Sequence, residues 1–176
     1  MNTAATPPKR NIELKARCPD LDAARDAARR LGAEFAGLLE QRDTYFVVPH
    51  GRLKLRQSAG RGAELVAYAR ENSAAVRGSD YRLVSVPDPA ALLAALEVSL
   101  GIRGDVVKTR ELWLWQRVRI HLDRVERLGT FLEFEAVLDP GEPDEAGHAK
   151  LAELRRALNV RDEDLVATSY SDLLGL

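Results

Sequence analysis

The sequence predicts an α+β protein built on antiparallel strands, and three observations carry that reading. The elements follow the order strand, helix, a run of strands, helix, further strands, helix, about eight strands and three main helices in all. Most strands alternate with a period of two between charged and apolar residues, the signature of strands with one buried face. No repeat of solenoid length and no low-complexity linker breaks the chain, so one domain over residues 1–176, with a loose start over 1–9, is expected.

Composition narrows the function classes. With 45% hydrophobic and 30% charged residues the chain is globular rather than disordered. Its 26 basic and 27 acidic side chains leave a net charge of −1, which gives no general attraction to nucleic acid or to an anionic membrane. Cys18 is alone, so an internal disulfide is excluded and a cysteine-based zinc or iron–sulfur site lacks its thiols. No apolar run reaches the length of a membrane helix, and the opening MNTAATPPKR lacks the apolar core of a signal peptide. The expected compartment is the cytoplasm.

Taken in order, residues 11–17 set Asn11, Glu13, Lys15 and Arg17 against Ile12, Leu14 and Ala16, a strand with one charged face. Asp20 or Asp22 can cap the helix that follows, whose Leu21, Ala24, Ala28 and Leu31 recur at helical spacing up to Gly32. A strand from about residue 33 to 48 leads through a turn at 49–51 into RLKLRQ, with Arg52, Lys54 and Arg56 facing one way and Leu53 and Leu55 the other. Gly60 and Gly62 turn the chain into ELVAYAR, where Glu64, Tyr68 and Arg70 share a face, and SDYRLVSV places Asp80 with Arg82. Asp88 and Pro89 open a second helix that runs through Leu92, Leu93, Leu96 and Leu100 to Gly101. Residues 104–115 present Lys108 and Arg110 on one face and Thr109, Glu111 and Trp113 on the other.

The stretch RVRIHLDRVERLGTFLEFE reads as a hairpin around Gly129. Arg117, Arg119, His121 and Asp123 oppose Val118, Ile120 and Leu122, joined by Val125 after a slip of phase at Arg124, while Glu133 and Glu135 oppose Leu132, Phe134 and Ala136. A third helix over about 143–158 packs through Leu151, Leu154 and Leu158, and SYSDLL closes the chain with a short helical turn.

The charged positions of these strands can form a solvated face of an open sheet, the ordinary fate of half-buried antiparallel strands. Their sorting favours a different arrangement. RLKLR and KTR are purely basic, while the acids collect on the first and last strands. A closed barrel with a polar lumen and helices outside would use that sorting to hold a polyanion and its metal ions, basic groups taking phosphate and carboxylates taking Mg²⁺ or Mn²⁺.

NIELKAR, GRLKLR, KTREL, RIHLD and GTFLEFE, in that order and spacing, resemble the CYTH family of triphosphate tunnel metalloenzymes over about residues 10–174. The family includes class IV adenylyl cyclases, thiamine triphosphatases and inorganic triphosphatases, and the hairpin and the SYSDLL ending look most like the cyclase branch. The resemblance implies an eight-stranded antiparallel tunnel that binds a triphosphate with Mg²⁺ or Mn²⁺. By position it makes Glu13, Glu133 and Glu135 metal ligands, with Asp123 close by as ligand or water-positioning base. Lys15, Lys54, Arg56 and Arg110 would bind phosphate, helped by Arg17, Arg82, Lys108 and Arg119, with Lys15 and Arg56 also placed among the catalytic groups beside Asp123. The implied partner is ATP, inorganic triphosphate or thiamine triphosphate. A second copy of the chain is an allowed partner; nucleic acid and membrane are not expected.

One departure matters. The family's opening motif is Glu-x-Glu-x-Lys, and here Asn11 stands at the first acidic position. An amide oxygen brings no charge, so a second metal site should be weaker. Elsewhere, His50, His121 and His148 lack metal-ligand spacing, although His121 falls on the charged face, and Cys18 beside Pro19 reads as structural. No serine has a partnered histidine and acid, and no glycine-rich phosphate loop precedes a helix, so side chains must hold the phosphate. Cyclisation of ATP, hydrolysis of a triphosphate, binding without turnover and an ordinary α+β interaction domain all remain open at the level of sequence.

Overall fold

The computed structural model describes residues 9–69 and 76–176. The elements run β1 (Lys9–Arg17), α1 (Leu21–Arg30), β2 (Glu34–Phe46), β3 (Arg52–Ser58), β4 (Gly62–Ala69), β5 (Arg77–Val86), α2 (Pro89–Leu100), β6 (Ile102–Trp115), β7 (Val118–Val125), β8 (Gly129–Val137), α3 (Asp144–Ala157) and α4 (Tyr170–Leu173), with a 3₁₀ turn at Asp162–Asp164. The strands close into one antiparallel barrel in the order β1-β5-β4-β3-β2-β6-β7-β8, with the helices outside. The α+β barrel expected from the charge sorting is therefore what the chain forms. The expected loose start falls outside the described residues except for Lys9, which already pairs with Tyr81, and so does Arg70 of the face expected with Glu64.

The period of two decides what faces where. Ile12, Leu14 and Ala16 of β1, Trp113 of β6, Ile120 and Leu122 of β7 and Leu132 and Phe134 of β8 point outward and are buried beneath α1 and α3. Asp20 starts α1 by accepting from the backbone N–H groups of Asp22 and Ala23, and Ala24, Ala27 and Ala28 give that helix a small-residue face against the barrel. Gly147 lets α3 come closer still, because a Cβ there would lie 2.6 Å from Cγ1 of Ile12. Asp88 caps α2, whose Leu92, Leu93, Leu96 and Leu100 cover Phe46 and Leu55.

A second apolar cluster seals one end of the lumen, with Tyr45, Val106, Val125 and Phe131 from the strands meeting Val166 and Tyr170 of the C-terminal segment. Here the structure corrects a detail of the sequence reading. The expected phase slip at Arg124 does not occur: β7 pairs in unbroken register from Val118 to Val125, and Arg124 is exposed. Val125 therefore lies on the lumen face, where it packs into the seal.

Candidate active site

Inside the barrel, the alternate positions of the strands meet. Lys15 from β1, Lys54 and Arg56 from β3, Lys108 and Arg110 from β6 and Arg119 from β7 line a cavity of about 150 Å³, together with Glu13, Glu64, Glu133 and Glu135. A wider vestibule of about 510 Å³ shares Arg56, Glu64, Arg110, Arg119 and Glu135 with it, and adds Gln41, Ser58 and His121. The charged faces thus close on one another instead of spreading into solvent.

The basic wall has a carboxylate behind it. Asp43 of β2 is 1% exposed and accepts from Nζ of Lys54 at 2.8 Å, Nζ of Lys108 at 3.0 Å, and Nε and Nη2 of Arg56 at 2.8 and 3.0 Å. Burial would raise its pKa, but Arg56, Lys108 and Lys54 together hold the carboxyl well below the usual range. Lys108 is affected in the opposite sense: burial pushes its ammonium down to about 7, with Asp43 opposing and Arg56, Arg110 and Lys54 adding to the push.

A second ion-pair system crosses the hairpin. Arg110 binds both oxygens of Asp123, at 2.7 and 2.6 Å, and reaches Glu133 at 2.6 Å. Burial would lower the guanidinium's pKa, but Asp123 and Glu133 raise it well above its ordinary value. Tyr170 enters from α4 and donates from Oη to Asp123 Oδ2 at 2.8 Å, while its ring stacks beneath Lys15 Nζ at 3.8 Å.

The acids on the facing wall form a candidate cation site. One donor atom each from His121, Glu133 and Glu135 lie within 4.8 Å of one another, and Glu13 sits directly across the β1–β8 ladder from Glu135. His121 Nδ1 is buried without a hydrogen-bond partner, 3.6 Å from Glu133 and 3.9 Å from Glu135, and Asn11 Oδ1 is likewise buried and unpartnered. Burial opposes ionisation of Glu133 and Glu135, but Lys15, His121 and Arg110 lower the former's pKa and His121 and Arg119 the latter's, so both remain carboxylates. Among the described residues, the bases Lys15, Lys54, Arg56, Lys108, Arg110 and Arg119 are matched in number by the acids Glu13, Asp43, Glu64, Asp123, Glu133 and Glu135. A lumen so balanced offers little net attraction to a polyanion, and a divalent cation on the acidic wall would supply the missing charge. Two or three carboxylates and one imidazole fit such an ion.

Of the residues singled out from the sequence, Glu13, Lys15, Lys54, Arg56, Lys108, Arg110, Arg119, Glu133 and Glu135 line the cavity. Three lie elsewhere. Asp123 is 0% exposed, with both oxygens bonded by Arg110 and one also by Tyr170, so it does not line the cavity and holds Arg110 in place. Arg82 is exposed on the opposite parity to Tyr81 and Leu83, which line the cavity, so it lies on the outside of the barrel. Asp80 shares that outer face and pairs with Arg10 at 3.1 Å. Arg17 is exposed at the end of β1, with its guanidinium 5.2 Å from the Phe131 ring centroid at the barrel rim.

The sequence reading missed Asp43, Tyr45 and Tyr170. In QRDTYF the lumen positions Gln41, Asp43 and Tyr45 alternate with Arg42, Thr44 and Phe46, but polar and aromatic residues occupy both faces, so the period of two carries little contrast. Tyr170 comes from a four-residue helix, which no strand periodicity can reach.

A closed antiparallel barrel with cations on one wall and acids on the other defines a class of polyanion-binding tunnel proteins. The sequence model of the CYTH domain family matches residues 9–170, and the chain belongs to that family. Its tunnels act on triphosphates with the help of divalent metals. A protein from Pyrococcus horikoshii has a similar structure with a TM-score of 0.84 and 25% identity, over 93% of this chain and 98% of that one. A protein from Vibrio parahaemolyticus described as a candidate adenylate cyclase matches with a TM-score of 0.78 and 19% identity over 94% and 98%. A Hippeastrum protein named as a candidate adenylyl cyclase and described as having a dominant triphosphatase activity shares the fold with a TM-score of 0.64 and 15% identity over 94% and 93%. No curated protein matches the chain in sequence.

Proposed function

We propose that this protein is a divalent-metal-dependent enzyme that binds the triphosphate group of a small molecule within the tunnel and breaks one of its phosphorus–oxygen bonds. The observation that carries the reading is the closure of Lys54, Arg56, Lys108 and Arg110 onto the same cavity as Glu13, Glu133 and Glu135. The basic wall would orient the phosphates, with Lys15 and Arg56 beside the reacting group, and Glu13, His121, Glu133 and Glu135 would hold the cation. Held there, Mg²⁺ or Mn²⁺ would supply Lewis acidity and positive charge to the reacting phosphoryl group. Asp123 acts through Arg110, fixing the guanidinium that contacts the phosphate.

The preferred reaction is that of the class IV adenylyl cyclases. A ribose hydroxyl of ATP would attack the inner phosphorus and give up its proton to water, the bond to the bridging oxygen would break, and pyrophosphate would leave with cyclic AMP formed. Hydrolysis is the second reading, favoured by the open vestibule lined in part by Glu135 and His121, which would admit water to the cation site. Product analysis with ATP, inorganic triphosphate and thiamine triphosphate, each with Mg²⁺ or Mn²⁺, tests both. Cyclic AMP with pyrophosphate supports the first, phosphate release the second, and tight binding without turnover would reduce the protein to a binding module.

A further inference from the structure

Asp43 is a buried acid set among the lysines and the arginine of the basic wall. It does not line the cavity but stands behind Lys54, Arg56 and Lys108, which lie between it and the space a ligand would fill. Its Oδ2 accepts from three cations at 2.8 to 3.0 Å, so its acceptor capacity is nearly spent. Each ammonium keeps further N–H donors beyond the one given to Asp43, and Arg56 keeps those of Nη1. A ligand can therefore share these cations with Asp43 without displacing it.

We propose that Asp43 is the positioning residue of the phosphate-binding wall, a permanent internal anion that gathers Lys54, Arg56 and Lys108 and holds them aimed at the ligand. This rests on the reading of the tunnel as a triphosphate site. Three cations brought together from β3 and β6 repel one another, and inside a barrel little water screens them. With a neutral residue at position 43, the two lysines relieve that repulsion by turning away, and Lys108 also by losing its proton. Lys108 is the more exposed to this fate because of what surrounds it: Asp43 from β2, Lys54 and Arg56 from β3, Arg110 from its own strand, Asp123 from β7 and the Tyr170 ring from α4, 5.7 Å away. Asp43 is the nearest opposite charge it has.

The sign of the effect distinguishes this role from plain electrostatics. Removing an anion from beside an anion-binding site should by itself strengthen binding; if Asp43 organises the wall, Asp43→Asn weakens it. The experiment is calorimetric titration of inorganic triphosphate with Mg²⁺ from pH 6 to 9, for the parent, Asp43→Asn and Asp43→Glu. The parent is expected to lose affinity as pH rises through about 7, where Lys108 gives up its proton. Asp43→Asn should bind about tenfold more weakly or worse at pH 6, the scale of lost hydrogen bonds to charged groups, with its alkaline loss moved to lower pH. Asp43→Glu should restore the pH midpoint. Unchanged or tighter binding in Asp43→Asn, or an unchanged midpoint, overturns the proposal. A parent that binds no triphosphate overturns the functional reading instead, and the Lys108 titration can then be followed by NMR of its side-chain nitrogen without ligand. If Asp43→Asn does not fold, Lys108→Met decides: its binding should lack the alkaline loss, and a profile identical to the parent's refutes the role.

Discussion

Tyr170 Oη donates a 2.8 Å hydrogen bond to Asp123 Oδ2 across 47 residues of chain, joining the C-terminal helix to the middle of the barrel hairpin. Burial, Asp123 and Glu133 all raise the phenol's pKa, so it remains a donor throughout the physiological range. Asp123 passes the constraint to Arg110. Replacing Tyr170 by Phe should cost about 1 kcal/mol of stability, the net value of a typical hydrogen bond, and loosen Arg110 without opening the barrel end. Urea unfolding of the parent and the variant measures it; equal midpoints would show that Asp123 needs no third hydrogen bond.

Arg110 and Arg56 both face the cavity, yet they should respond differently to truncation. Arg110→Ala leaves Asp123 and Glu133 buried without their shared cation and should destabilise by about 3–5 kcal/mol. Arg56 is 22% exposed and shares Asp43 with two lysines, so Arg56→Ala should mainly weaken triphosphate binding, by about 1.5–3 kcal/mol. Unfolding curves and calorimetry on the same two variants separate the effects. Similar stability losses in both would contradict the assignment of Asp43 and Asp123 to separate networks.

Glu133→Gln and His121→Ala probe the cation site from two sides. Glu133→Gln keeps the shape and removes a charge, so half-maximal turnover should need at least about tenfold more Mg²⁺ or Mn²⁺, in line with the loss of a ligand or its support. His121→Ala removes the unpartnered Nδ1 and should raise the Mn²⁺ requirement more than the Mg²⁺ requirement, because nitrogen ligands suit the softer ion. Metal titrations of turnover report both.

Asn11 points into the cavity next to Glu13 on the sequence of β1, is 5% exposed, and leaves its Oδ1 unpartnered. Asn11→Glu should lower the metal concentration needed for half-maximal turnover, or create turnover where the parent has none. Superimposable metal titrations would place residue 11 outside the reaction.

Acid should unfold the protein late. Asp43, Asp123, Glu133 and Glu135 all have folded-state pKa values below their ordinary ones, as burial is outweighed by Arg56, Arg110, Lys15 and His121. Their stabilisation is complete above the unfolded values of about 3.9 for Asp and 4.3 for Glu and is lost as pH falls through the lower folded values. Circular dichroism against pH should therefore show the folded barrel persisting below pH 4. Unfolding at pH 5 would mean that these pairs do not hold the lumen together.

The closed barrel and most of its cavity were legible in the sequence because a strand with one apolar face repeats its choice every second residue. Lys15, Arg56, Arg110 and Glu133 stand out against Leu, Val and Phe neighbours in that pattern. Where contrast fails, so does the reading: Asp43 sits in a strand polar on both faces, and Arg82 carries the same charge as the lumen arginines but one position out of phase. Asp123 had the right phase, yet its role depends on a tyrosine 47 residues away, which no local pattern encodes. His121 was visible on the charged face, but only the fold shows that its Nδ1 lacks a partner beside two carboxylates.

The strand order carries a consequence for how the chain is made. β1 is hydrogen-bonded on one side to β5 and on the other to β8, the last strand to be synthesised. A ribosome therefore releases Lys15 long before Glu133, its ion-pair partner on β8, exists, and β1 must wait with an open edge while six further strands emerge. Closure comes only when β8 arrives and Tyr170 follows it in. Until then the lumen is a cleft, with its charges still in water.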